Sequence, residues 1–203
     1  MPIADCRVQI EARILRSPAA AFRALNADTR SDSWVLARRP LLLLFVMGCV
    51  VSLQASGRLS ARLIVDGMLS FAFIPLFELA SLAIVYRVRP RPIPFARAVD
   101  LFFAANAPWL VWLLAFVTLR SVQTPRQATA PPIALLWAVE LSLLIVAAWS
   151  AYIDLQFFRE VLPRSDRAAA RDLMLQRTIG WSSTILYFLG IAIWPEIVGR
   201  IAA

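Results

Sequence analysis

The chain contains no histidine, and all 21 of its basic residues are arginine rather than lysine. Without imidazole there is no histidine ligand for haem, chlorophyll, zinc or copper, and no Ser-His or Cys-His nucleophile pair. Without lysine, the hydroxyl cluster Ser182, Ser183 and Thr184 has no amine base to activate it. An enzyme is therefore not expected, and neither is a metal or any other cofactor. Cysteine is almost as scarce. Cys6 lies in the polar N-terminal part and Cys49 inside an apolar run, so the two are not expected to pair. An arginine-only basic set reflects a GC-rich coding bias, and so a bacterial source, rather than a demand for guanidinium groups.

Charge is sparse as well. Charged residues make up 17 % of the chain against 60 % hydrophobic ones, and the mean hydropathy is +0.69. Soluble domains carry about 25 % charged residues, so an integral membrane protein is expected. In a soluble chain the net charge of +8 would suggest nucleic acid. Here the arginines fall in short loops between apolar runs, where topology and anionic membrane lipid account for them, and no nucleic-acid partner is expected.

A helix crossing about 30 Å of hydrocarbon needs about 20 mostly apolar residues. Five segments qualify: residues 40–55, 63–86, 98–119, 133–157 and 179–199. Trp34, Val35 and Leu36 extend the first at interfacial depth. The expected fold is an all-α membrane protein, with five transmembrane helices over 40–203 after an N-terminal interfacial segment, 1–39. Residues 1–39, 87–97 and 158–178 together hold sixteen arginines and the opposite side five. That asymmetry predicts a cytoplasmic N-terminus and an external C-terminus in a bacterial inner membrane. A competing reading takes Arg38-Arg39 and the following LLLLFVMG as a twin-arginine export signal. The long preceding segment and the four further spans favour the start of span 1.

The polar pieces read as surface helices. In RSPAAAFRALNAD, Ser17 can cap a helix with Pro18 at its first position, and Phe22 and Leu25 share a face beside Arg16 and Arg23. SDRAAARDLMLQR, residues 165–177, repeats the device with Arg167 and Arg171. These four arginines are candidates for contact with anionic headgroups or a protein partner; the alternative is a solvated basic loop that only fixes topology.

Within the spans, Pro75, Pro108 and Pro195 each remove a backbone N–H and predict kinks in spans 2, 3 and 5. Gly48, Ser52 and Ser56 repeat every four residues, as do Ala134, Ala138 and Ser142, so helix backbones can approach closely there, within one chain or in a homo-oligomer. Glu78 lies nine residues before Arg87 and Asn106 nine after Arg97, which places both about 13 Å from the arginine-rich ends of their helices. They share a depth on neighbouring spans. Two readings stay open: a polar clamp between helices, or a site that moves protons or contacts a polar substrate. Asp66, Glu140 and Glu196 sit toward one end of their spans, and Asp100 and Asp154 toward the other, where arginines can serve them.

Five spans, the stretch ILRSPAAAFRAL just before the membrane, and FARAVDLFFAANAPWLVW, an amphipathic entry with a proline at mid-depth, resemble the Yip1 family of multispan membrane proteins. The tight tyrosine and glycine motifs of eukaryotic members are absent. The resemblance implies a non-enzymatic bacterial membrane protein of scaffold or transport-associated type. The sequence thus favours a non-catalytic organiser or accessory subunit of a membrane complex. The alternative is a small-molecule or proton-coupled transporter that uses Glu78 and Asn106.

Overall fold

The computed structural model describes residues 12–26, 34–88, 93–122, 133–162 and 165–201. Among these residues all regular structure is helical. A helical stretch at 12–16 is followed by α1 (Pro18–Asn26), α2 (Trp34–Ser56), α3 (Ala61–Ser70), α4 (Phe73–Arg87), α5 (Phe95–Ala104), α6 (Ala107–Val122), α7 (Ile133–Glu160) and α8 (Asp166–Ile201). Four stretches among the described residues are long and apolar enough to cross a membrane. They are Leu36–Ser56 in α2, Ala61–Arg87 over α3 and α4, Phe95–Thr118 over α5 and α6, and Trp137–Glu160 in α7. The fifth expected span falls within α8 and is not one of the four; its side chains from residue 194 onward, Glu196 included, lie outside the described residues.

Two of the three prolines interrupt their spans. Pro75 cannot donate to the Phe71 carbonyl, which instead accepts from the Ile74 N–H at 3.1 Å, and the helix breaks at Phe71-Ala72. Pro108 has the same effect one span later. The chain turns at Ala105-Asn106, where the Ala105 N–H bonds the Phe102 carbonyl at 3.0 Å and the Asn106 N–H bonds the Phe103 carbonyl at 3.2 Å. By contrast, α8 stays helical through Pro195.

The hairpin of α2 and α3 depends on small residues. A Cβ on Gly48 would lie 2.4 Å from the Ile64 carbonyl oxygen, and one on Gly67 would lie 2.9 Å from Val51 Cβ. The backbones can meet only because both side chains are absent. Gly57 closes α2 at a φ of 66°, the left-handed region that glycine adopts without strain. Ser52 accepts from the Ser60 N–H and donates to the Arg58 carbonyl, each at 2.8 Å, which fastens the turn. Of the second small-residue series, Ser142 makes an interhelical bond, accepting from Trp112 Nε1 at 3.0 Å.

The compact core sits at the arginine-rich end and includes the apolar face of α1. Phe22 is fully buried, with its ring 5.9 Å from that of Phe157 on α7, which in turn meets Phe102 at 5.5 Å. Ile14 is buried beside them. The apolar face of α1 is therefore covered by protein. The expected surface helix at 165–177 is corrected: it is the beginning of the 36-residue α8. Nothing in SDRAAARDLMLQR stops a helix, so its pattern runs directly into the next apolar segment. The span begun at Pro40 by sequence begins earlier as well, since α2 starts at Trp34 with Pro40 inside it.

Candidate functional site

The second break leaves Asn106 in an open turn, where its side chain is not committed to helix packing. It is buried, and its Nδ2 donates to Glu78 Oε2 at 3.0 Å. Glu78 sits on α4 just past the first break. The two candidates read from sequence are therefore in direct contact between spans 2 and 3.

Side chains from α7 and α8 extend this pair into a polar cluster. Gln176 Nε2 donates to Ser81 Oγ at 3.1 Å, and Ser81 Oγ donates to the Glu78 backbone carbonyl at 2.9 Å. Next along α8, Arg177 pairs with Asp154 Oδ2 and reaches Ser150 Oγ at 3.4 Å, both on α7. Asp154 and Gln176 are each 1 % exposed, and Asp154 Oδ1 and Gln176 Oε1 have no hydrogen-bond partner among the described residues. An unpaired buried acceptor is costly, and Gln176, unlike Asp154, lines an open space that could supply a partner.

The space beside Gln176 is a cleft of about 450 Å³ between α2, α4, α6 and α8. Its polar end is Glu78, Asn106, Gln176 and Arg177, and its walls include Phe73, Phe77, Trp109, Trp112, Trp181 and Phe188. Rings hold two of the walls together: Phe73 stacks on Tyr187 with centroids 4.5 Å apart, and Trp112 stacks on Phe116 at 5.2 Å. Gly180 leaves the cleft open on the α8 side, for a Cβ there would meet nothing closer than Ser81 Oγ at 4.0 Å. A mostly apolar pocket with a few convergent polar groups is the form of a small-molecule site.

A second cluster lies at the arginine-rich end. Asp100, 1 % exposed, accepts from Arg38 through Nε at 2.7 Å and Nη2 at 2.6 Å, from Arg39 Nε at 2.8 Å, and from Arg97 Nη1 at 3.2 Å. Arg97 also donates Nη2 to the Leu25 carbonyl at 2.9 Å. One carboxylate thereby ties the entries of α2 and α5 to the end of α1. This cluster is structural, since Arg38 and Arg39 join α2 to α5 and Arg97 carries the link on to the Leu25 carbonyl of α1.

The four arginines proposed for headgroup or partner contact separate. Arg23 pairs with Glu160 at 3.1 Å, while Arg16, Arg167 and Arg171 are exposed. Sequence reasoning missed Gln176 and Arg177 as site residues, because Arg177 counts as one more loop arginine when 158–178 is read as a loop. The spacing Gln176, Gly180, Thr184 was the available clue: on a continuous helix it is one face, and all three residues line the cleft.

Compared with protein-family models, curated proteins and solved structures, the chain gives no match.

Proposed function

We propose that this protein is a five-span bacterial inner-membrane protein, N-terminus cytoplasmic and C-terminus external, that binds an amphipathic small molecule in the cleft between α2, α4, α6 and α8 and serves its transport. The observation that carries the reading is the placement of Glu78, Asn106 and the unpartnered Gln176 Oε1 around one apolar cleft, next to breaks in two adjacent helices. Broken helices inside a bundle free backbone and side-chain groups for a ligand at a depth where lipid offers none. The breaks also let each half-helix tilt separately, which suits a site that must open and close.

The reading as an organiser or accessory subunit keeps one supporting observation, the exposed Arg16, Arg167 and Arg171 at the end that would face the cytoplasm. It also agrees with the likeness to the Yip1 family. Purification from native membrane, followed by mass spectrometry of bound small molecules and of proteins, distinguishes the two. A near-stoichiometric small molecule that disappears in Gly180→Leu supports the ligand-binding reading. A stoichiometric protein partner with no small molecule supports the organiser and overturns the first proposal.

A further inference from the structure

Given that the cleft is a ligand site, we infer that its occupant is a lipophilic ammonium: an amine cation with an alkyl or aryl body, its N–H groups directed at Glu78 and Gln176. The hydrogen-bond inventory of the cleft points to a donor. Asn106 Nδ2 is given to Glu78, Gln176 Nε2 to Ser81, Trp112 Nε1 to Ser142, and Arg177 Nη2 to Asp154 and Ser150. The buried polar atom that the cleft lining leaves without a partner among the described residues is an acceptor, Gln176 Oε1, and the Glu78 carboxyl group stands at the same end. A ligand that brings N–H groups satisfies both, whereas an anion or an ether would leave them bare.

Charge points the same way. Arg177 lines the cleft, but its charge is offset by Asp154, with which it is paired. Glu78 has a neutral amide as its side-chain hydrogen-bond partner among the described residues, and the nearby Arg177 charge is shared with Asp154. A carboxylate held away from water is costly without a cation, and an entering ammonium completes the pair. The remaining walls are aromatic rings, whose faces attract cations more strongly where water is excluded. A volume of about 450 Å³ accommodates a drug-sized amine.

The amine could belong to a free molecule or to an aminophospholipid headgroup, and the site favours the former. A phosphate next to the amine would bring a further anion to a polar end that already holds Glu78, where the Arg177 charge is offset by Asp154. Glu78 also lies about 13 Å of helical rise from Arg87, deeper than a headgroup sits.

The test uses the full chain in nanodiscs of phosphatidylglycerol, with a matched series of dodecylammonium, dodecanol and dodecanoate. Binding is read from the thermal unfolding midpoint and from tryptophan emission, since Trp109, Trp112 and Trp181 line the cleft. Each titration is compared with the same titration of Gly180→Leu, so that partitioning into lipid cancels. If Gly180→Leu does not fold, Thr184→Leu narrows the same cleft and takes its place. Dodecylammonium is expected to bind at least tenfold more tightly than the other two, with the preference lost in Glu78→Gln. Equal binding of all three, or a preference for dodecanoate, abolished by Gly180→Leu, overturns the ammonium class while leaving the cleft as a ligand site. Binding that Gly180→Leu does not change overturns both. Competition from added phosphatidylethanolamine assigns the site to a headgroup amine and overturns the free ligand.

Discussion

The Asn106 side chain donates to Glu78 Oε2 at 3.0 Å and so ties the broken turn of one span to the helix that follows the break in its neighbour. Each residue supplies what the other needs in a medium without water. Both residues line the cleft.

Glu78→Gln retains a donor and an acceptor of nearly the same shape, so it is expected to fold with an unfolding midpoint close to that of the parent. A double-mutant cycle with Glu78→Leu and Asn106→Leu should give a coupling of about 0.6 to 2 kcal/mol, the range of interhelical hydrogen bonds in membranes. If Glu78 serves the ligand, Glu78→Gln is stable but fails to retain it in the mass-spectrometric assay. A Glu78→Gln protein that keeps the ligand undiminished returns Glu78 to a purely structural role.

Asp100→Ala leaves Arg38, Arg39 and Arg97 without the carboxylate that joins them. Removing one partner of a buried ion pair costs about 3–5 kcal/mol, enough to consume most of a marginal stability. Little monodisperse protein is expected on size-exclusion chromatography in detergent, and the additional change Arg97→Met should recover part of it. An Asp100→Ala protein as stable as the parent would show that the three arginines find other partners.

Gly48→Ala places a methyl group 2.4 Å from the Ile64 carbonyl oxygen, on backbone that cannot swing aside. Overpacking of this kind costs about 1–3 kcal/mol, read as a lower unfolding midpoint. Gly190→Ala is the control, since a Cβ there meets nothing within 4 Å. Its midpoint should be unchanged or slightly raised.

The proposed topology predicts that a reporter active only outside the cytoplasm gives signal when fused after Ala203 and none when fused after Arg91. The opposite pattern reverses the orientation, and signal from neither fusion makes the number of crossings even.

Much of this architecture was legible in the sequence because it follows from local chemistry. Apolar runs of about 20 residues have few alternatives to a membrane helix. A proline breaks the hydrogen bond it cannot donate, wherever the chain goes next, and so the interruptions near Pro75 and Pro108 were readable. Glu78 and Asn106 were readable as a pair because equal distances from the arginine-rich ends of two neighbouring helices place them at one depth.

What the sequence could not decide is which surface each polar segment meets. Phe22 has the same spacing from Leu25 whether α1 lies on lipid or against protein, and only the presence of Phe157 at 5.9 Å makes it a core residue. Arg38, Arg39 and Arg97 look like topology charges until Asp100 is found among them. Arg177 reads as a loop residue until α8 is seen to run unbroken from Asp166, which turns Gln176 and Arg177 inward beside Glu78. A carboxylate, an amide or a guanidinium acquires its role from the partner that desolvates with it. That partner lies 62 residues away for Arg38 and 95 for Gln176, so tertiary packing chooses it and periodicity along the chain does not.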